Sequence, residues 1–203
     1  MFQGEIIMDD RLLMRKAAKL RAVKVESDIG LISGSIAYLD GLLKEDLSID
    51  DKYQLFFLIV DECFRSGNRN AEEYYLRRQI SELPLQPILL TNLAQFLVND
   101  SEKAKEALAF CEEAVRLAIN EDRQVRYALT CQVRIALALD DYEVLSSALR
   151  GLIADAAPNR VNEDSIYYFD FVDKIDANRI DFALLERYKA LESMKLNTWE
   201  NSR

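Results

Sequence analysis

The sequence predicts an all-α protein on the strength of three observations. Its 203 residues include only 6 glycines and 3 prolines, the residue types that helix interiors exclude and turns collect. Apolar residues recur every three or four positions along most of the chain, which is the spacing of one helix face. The gaps between these stretches are short, so consecutive helices are expected to lie antiparallel as hairpins. No stretch shows a strand pattern strong enough to compete.

The first five helices are placed by residues that commonly begin or end helices. Ser48, with Asp51 three positions later, resembles a capping box that begins the third helix, and Gly67 ends that helix. Pro84 stops the fourth helix, and Pro87 suits the first turn of the fifth because no N–H is needed there. Further capping candidates are Asp9 or Asp10 for the first helix and Asn68 or Asn70 for the fourth. The predicted ranges are 11–25, 28–45, 49–66, 71–82 and 87–99.

The second half of the chain predicts five more helices. Ser101 starts the sixth helix, and Asp122 is predicted to cap the seventh, which reaches Leu139. Asp140 and Glu143 form an acidic version of a capping box for the eighth helix. The predicted ranges are 102–119, 123–139, 141–154, 163–175 and 180–195, with one long break at 155–162 and a frayed tail at 197–203.

The predicted hairpins recur with a regular period. The second helices of four hairpins centre near residues 76, 110, 148 and 187, at intervals of 34 to 39 residues, which is typical of solenoids built from helix pairs. A single hairpin cannot bury its apolar face, so we expect neighbouring pairs to stack on one another.

One stretch, 87–119, resembles a known repeat. Its first helix carries Leu90, Leu93-Ala94 and Leu97, and its second carries Ala107, Cys111 and Ala114, with small residues where two helices touch. Neighbouring units repeat the pattern with Phe56, Ile59-Val60, Cys63, Gly67, Ala71, Tyr75 and Pro84, and with Leu129, Val133, Ala136, Asp140-Asp141-Tyr142, Leu145, Leu149 and Pro158. These positions resemble the tetratricopeptide repeat over about residues 52–157, although Val60 and Val133 stand where that family prefers smaller side chains.

The resemblance implies a right-handed solenoid of about four to five antiparallel helix hairpins, whose inner face is lined by first helices and binds peptides. We therefore expect one helical-repeat domain over 1–203. Its predicted parts are an N-terminal basic helix and capping pair at 11–45, the best-matching repeats at 49–157, a divergent C-terminal pair at 163–195 and the tail at 197–203.

Composition excludes several functions. The chain has no histidine, which removes the Ser-His-Asp and Cys-His nucleophile pairs and imidazole metal ligands. Cys63, Cys111 and Cys131 form no C-x-x-C pair, so neither zinc nor redox chemistry is indicated, and an odd number of cysteines points to a reducing compartment. No apolar stretch is long enough to span a membrane. We expect a non-catalytic cytoplasmic protein without cofactor or metal.

Two sets of residues are candidates for binding. On the exposed face of the predicted first helices, groups suited to a peptide backbone or carboxylate are Tyr53, Asn92, Gln95, Asn99, Tyr127, Thr130 and Arg134. The predicted first helix is basic and amphipathic, with Arg11, Arg15, Lys16, Lys19, Arg21 and Lys24 and no acid among them. This helix either covers the apolar surface of the first repeat or occupies the groove until a partner displaces it, or it meets a membrane, a partner groove or nucleic acid.

The sequence favours a binding module for a protein or peptide segment, acting as an adaptor or scaffold. A dedicated acidic chaperone of the secretion type is the alternative within this class. A helical enzyme that uses carboxylates or tyrosine and a regulatory domain that touches nucleic acid through 11–24 belong to other classes. The net charge of -9 disfavours nucleic acid as a partner. Solenoid ends expose apolar surface unless capped, so a homo-oligomer also remains open.

Overall fold

The computed structural model describes residues 29–156 and 171–200, and this part of the chain is all-helical, as predicted. It contains eight α-helices, two short 3-10 turns at Ser101–Lys103 and Val172–Lys174, and no strand. The α-helices are α1 (Ile29–Leu42), α2 (Ile49–Arg65), α3 (Arg69–Glu82), α4 (Pro87–Leu97), α5 (Ala104–Glu121), α6 (Val125–Leu139), α7 (Tyr142–Asp155) and α8 (Phe182–Glu200).

The chain divides into two compact units, the first ending at Pro84 and the second beginning at Leu85. In the first unit, α2 lies in the middle and packs against both α1 and α3. The side chains that α2 contributes to the core are fully buried: Leu55, Phe56, Ile59 and Cys63. They recur at the spacing of one helix face, which is why the sequence predicts this helix correctly.

Local capping holds the ends of α2 and α3 as predicted. The Ser48 hydroxyl accepts a hydrogen bond from the Asp51 backbone N–H at 3.1 Å and donates one to the Asp51 carboxylate at 2.7 Å. Gly67 has a φ of 67°, the left-handed conformation that lets the Asn68 N–H reach back to the Cys63 carbonyl and close α2. The Asn68 side chain then accepts from the Ala71 N–H at 3.1 Å and caps α3.

In the second unit, each helix from α4 to α8 packs on the next, and α4 also packs on α6. Two side-chain hydrogen bonds join α6 to α4 and to the turn directly after α4. Tyr127 donates to Asn92 at 2.8 Å and Arg134 to Asn99 at 2.9 Å, and both pairs are 35 residues apart. Because the same offset recurs two turns further on, α4 and α6 run parallel. Pro87 begins α4, as predicted.

Fully buried alanines lie on several helices of the second unit. The side chains with no exposed surface include four alanines, Ala94, Ala107, Ala114 and Ala128. A second cluster joins α6, α7 and α8 through larger residues such as Leu149. Alanines and larger apolar side chains together fill the buried space between these helices.

Two predicted caps are wrong for the same reason. Asp122 and Asp140 have φ values of 50° and 58°, and they end α5 and α6 instead of starting the following helices. In each case the next residue donates its N–H to a carbonyl five positions back, Arg123 to Ala118 and Asp141 to Ala136. Aspartate is one of the few residues that tolerate this left-handed conformation.

The N-cap residues of α6 and α7 lie one or two positions after Asp122 and Asp140. Asp141 caps α7, since its carboxylate accepts from the N–H groups of Glu143 and Val144 at 3.1 and 3.0 Å. At the start of α6, Gln124 is also left-handed, with a φ of 60°, and makes no side-chain cap.

The C-terminal predictions need further correction. Residues 172–174, placed in a predicted helix over 163–175, form a 3-10 turn, and Ile175 is extended. The part of that prediction over 163–170 lies outside the described residues. The predicted tail from 197 is helical as far as Glu200, because α8 meets neither glycine nor proline before that point.

Candidate functional site

Six of the seven predicted groove residues lie in the second unit: Asn92 and Gln95 on α4, Asn99 in the turn directly after α4, and Tyr127, Thr130 and Arg134 on α6. The seventh, Tyr53, lies on α2 in the first unit, where its hydroxyl donates to the Pro84 carbonyl at 2.7 Å. The candidate site lies in the second unit.

Four of the six residues form what we call the polar ladder: Asn92, Asn99, Tyr127 and Arg134. Its two hydrogen bonds lie seven residues, or two helical turns, apart on α6, and their partners are equally far apart on α4 and the turn directly after it. The Asn99 amide nitrogen also donates to the carbonyls of Gln95 and Phe96 at 3.0 and 3.2 Å, which orients its carbonyl oxygen toward Arg134. The ladder is thus held in place before any ligand arrives.

The structure places the two remaining candidates differently. Thr130 is only 6% exposed, and its hydroxyl donates to the Arg126 carbonyl at 2.8 Å within α6. Because the Thr130 hydroxyl is buried and already donates its proton within α6, we do not expect it to bind a ligand. Gln95 is half-buried on α4, and its backbone carbonyl supports Asn99.

A cavity of about 370 Å³ lies at the end of the ladder. It is large enough for one large side chain or a chain terminus. The residues that line it come from the end of α6, the start of α7 and the segment before α8: Arg134, Leu137, Ala138, Asp140, Tyr142, Phe171 and Lys174.

Arg179 contacts Asp140 and Tyr142, two of the residues that line this cavity. Its guanidinium lies 4.0 Å from the centre of the Tyr142 ring, forms an ion pair with the Asp140 carboxylate and donates to the Asp140 carbonyl at 3.3 Å. The Tyr142 hydroxyl accepts from the Asp176 N–H at 3.1 Å. The hydrogen bond that Arg179 donates to the Asp140 carboxylate raises the pKa of Arg179 above its usual value. The positive charge of Arg179 therefore offsets the negative charge of Asp140.

Two further cationic side chains, Arg134 and Lys174, line the cavity. Within the described residues neither Arg134 nor Lys174 forms an ion pair, and the Lys174 ammonium lies 5.6 Å from the centre of the Phe171 ring. A guanidinium has five N–H donors, and Arg134 uses one nitrogen on Asn99. The arrangement can accept an anionic group beside an apolar side chain.

Sequence reasoning found Arg134 but missed Tyr142, Phe171 and Lys174 as members of this site. The helix predicted over 163–175 gave no reason to bring Lys174 to the end of α6. The sequence does carry a weak signal for this wall of the cavity. Tyr142 contacts Asp176, 34 residues later, and Asp140 contacts Arg179, 39 residues later. These spans match the repeat spacing that the sequence shows elsewhere.

The chain's three cysteines are free and buried, as expected for structural thiols. Burial, together with the nearby acids Glu72 and Glu62, raises the pKa of Cys63 to about 11. The neighbouring Cys131 thiol and burial raise the pKa of Cys111, whose Sγ donates to the Ala128 carbonyl at 3.5 Å. Thiols held protonated in this way are poor nucleophiles and poor metal ligands.

The described residues offer neither a cluster of metal ligands nor a membrane-spanning helix. No group of three or more Cys, Asp or Glu side chains in the described part of the chain is arranged to hold a metal ion. None of the helices described there is both long and apolar enough to cross a bilayer. The basic residues predicted over 11–24 lie outside the described residues.

The chain matches no known protein family, no curated protein and no solved structure.

Proposed function

We propose that this protein is a non-catalytic module of stacked helix hairpins, similar to tetratricopeptide repeats, that binds a protein or peptide segment. The observation that carries the proposal is the polar ladder, which joins two parallel helices at a constant offset of 35 residues and leads into a cationic cavity.

The packing of the second unit supports the repeat architecture. In stacked hairpins each first helix contacts its own partner, the preceding second helix and the next first helix. The contacts of α4, α5, α6 and α7 follow this order, and α4 with α6 is the expected pair of first helices. The offset of 35 residues is close to the 34-residue period of the tetratricopeptide repeat.

The chemistry of the ladder suits an extended peptide. Asparagine amides and a tyrosine hydroxyl can exchange hydrogen bonds with a peptide backbone, and the side of the Tyr127 ring can pack on an apolar side chain. Tyr127 and Asn92 are half-buried, and Asn99 and Arg134 are exposed. Prior ordering of these side chains lowers the entropy that binding would otherwise cost.

The cavity indicates an acidic ligand group. Arg134 and Lys174 can pair with a carboxylate, either an Asp or Glu side chain or a chain terminus, while Phe171 and Leu137 contact the rest of the residue. Three reduced cysteines support a reducing compartment such as the cytoplasm.

The test uses the full chain and an array of peptides that end either in a free carboxylate or in an amide. We expect selective binding of acidic or carboxylate-ended peptides, and a loss of about tenfold or more in affinity for Arg134→Ala and Lys174→Ala. Arg116→Ala is the matched control, because Arg116 is exposed on α5 and paired with Glu113. Equal affinity in all variants, or no peptide bound by the wild type, would refute the proposal.

A further inference from the structure

Asp140 brings a negative charge to the wall of a cavity that also carries two cations. Among the described residues that line the cavity, Arg134 and Lys174 are positively charged and Asp140 is negatively charged. A sphere of the same volume is about 9 Å across, so these three charges act on one another within about one Debye length. If the Asp140 carboxylate had no other partner, it would compete with an anionic ligand for the two cations.

Arg179 provides this other partner, and it is not among the described residues that line the cavity. Its guanidinium forms an ion pair with the Asp140 carboxylate through Nη1 and donates to the Asp140 carbonyl at 3.3 Å through Nη2. The backbone of Asp140 is left-handed, with a φ of 58°, where it ends α6. One guanidinium therefore contacts both the side chain and the backbone of Asp140 and directs the carboxylate toward Arg179.

Tyr142 holds this guanidinium in place. The guanidinium carbon of Arg179 lies 4.0 Å from the centre of the Tyr142 ring, and the Tyr142 hydroxyl accepts from the Asp176 N–H at 3.1 Å. The Arg179 N–H also donates to the Asp176 carbonyl at 3.0 Å. The Asp176 carboxylate accepts from the backbone and the side chain of Asn178, each at 3.0 Å. Tyr142 therefore contacts both ends of the turn that carries Arg179.

We propose that Arg179 is a positioning residue that sets the charge selectivity of the cavity. It holds the Asp140 carboxylate away from Arg134 and Lys174, and so leaves both cations available to a carboxylate ligand. The inference rests on the proposed function, since it concerns the same cavity, and it adds that Asp140 is a competitor built into the site.

The exposure of the Asp140–Arg179 pair sets the size of the expected effect. The Asp140 side chain is 69% exposed and the Arg179 side chain is 43% exposed. An exposed ion pair contributes little to folding stability, so we expect Arg179→Ala to remain folded. Solvent and salt also weaken the attraction between Asp140 and the two cavity cations, which limits the change in ligand affinity to about tenfold.

Acetate is the probe for the test, because it presents a carboxylate, and acetamide is its neutral counterpart. Each is titrated into the full chain at constant low ionic strength, and the backbone amides of 137–142 and 171–174 are followed by NMR. We expect the wild type to bind acetate more tightly than acetamide, and Arg179→Ala to weaken acetate binding about three- to tenfold. Salt at about 0.5 M should reduce this difference between the two chains.

Asp140→Asn separates the charge of Asp140 from its shape, and asparagine tolerates the same left-handed conformation. In Asp140→Asn/Arg179→Ala the competing carboxylate is absent, so acetate binding should return to within about twofold of the wild type. Asp140→Asn alone should bind acetate at least as tightly as the wild type. Arg116→Ala is the matched control, because it removes an exposed arginine paired with Glu113 on α5 and should leave acetate binding unchanged. Circular dichroism at 222 nm reports whether each variant is folded.

Four results would overturn the inference. They are a wild type that does not prefer acetate to acetamide, equal acetate affinity in the wild type and Arg179→Ala, an equal loss in Arg116→Ala, and weaker acetate binding by folded Asp140→Asn. A folded double variant that still binds weakly would also overturn it, because Arg179 would then act through the shape of the cavity and not through Asp140. Acetate binding that depends on Arg179 as expected, with no peptide bound by the wild type, would refute the proposed function and support this inference.

Discussion

Gly151 offers a test of how tightly α6 and α7 pack. A Cβ atom added at this position would lie 2.9 and 3.0 Å from the two terminal methyl carbons of Leu129, whereas carbon atoms prefer about 3.5–4.0 Å. Leu129 is 4% exposed, so its side chain has little room to move. Overpacking costs about 1–3 kcal/mol, and alanine regains about 0.5–1 kcal/mol of helix propensity. We expect Gly151→Ala to destabilise the protein by about 1 kcal/mol and to lower Tm by about 2–4 °C.

Gly41→Ala is the matched control for this prediction. Gly41 is also helical, and a Cβ atom there would meet nothing within 4 Å, so only the gain in helix propensity of about 0.5–1 kcal/mol should remain. Both variants are measured by urea unfolding followed by circular dichroism at 222 nm. In a double-mutant cycle, Leu129→Ala should cost less in the Gly151→Ala background than in the wild type. The packing argument fails if Gly151→Ala stabilises the protein as much as Gly41→Ala does.

Two further predictions concern buried charge. The Arg126 guanidinium bonds the Asp155 carboxylate at 2.9 and 3.0 Å with both side chains largely buried, so Asp155→Ala should lower the free energy of unfolding by about 2–4 kcal/mol in urea. Burial raises the pKa of Glu72 above its ordinary value of 4.5, against the opposing effect of Arg69. The folded state then holds this proton more tightly than the unfolded state, so this contribution to stability falls as pH rises above about 4.5. Glu72→Gln should remove that part of the pH dependence and stabilise the protein at neutral pH, as urea unfolding at several pH values will show.

Each of these predictions has its own control. Glu113→Ala removes an exposed ion pair with Arg116 and should have a far smaller effect than Asp155→Ala. Equal losses for the two variants would show that burial of the Arg126 pair is unimportant. For Glu72, the same slope of stability against pH in wild type and Glu72→Gln would assign the pH dependence to other groups.

The amino-acid sequence alone predicts the helices whose ends and buried faces depend on residues close together in the chain. The core face of α2 follows from apolar spacing, and the Ser48 cap, the Gly67 end and the Pro87 start depend only on residues within one or two turns. Such interactions are decided by side chains a few positions apart, so they can be read from the chain directly. The overall class and most helix positions were predicted for this reason.

Tertiary contacts decided the points where one residue type suits two local conformations. Aspartate can cap the start of a helix or adopt the left-handed turn that ends one. Asp122 and Asp140 both adopt the left-handed turn, where α6 and α7 pack on their neighbours. The same is true of the candidate site. Arg134 was found by helix phase, but its cavity depends on Lys174 and Arg179, which are brought to Asp140 and Tyr142 across 30 or more residues. Contacts over that distance depend on how whole helices pack, and this packing is set by the core as a whole and not by any short stretch of sequence.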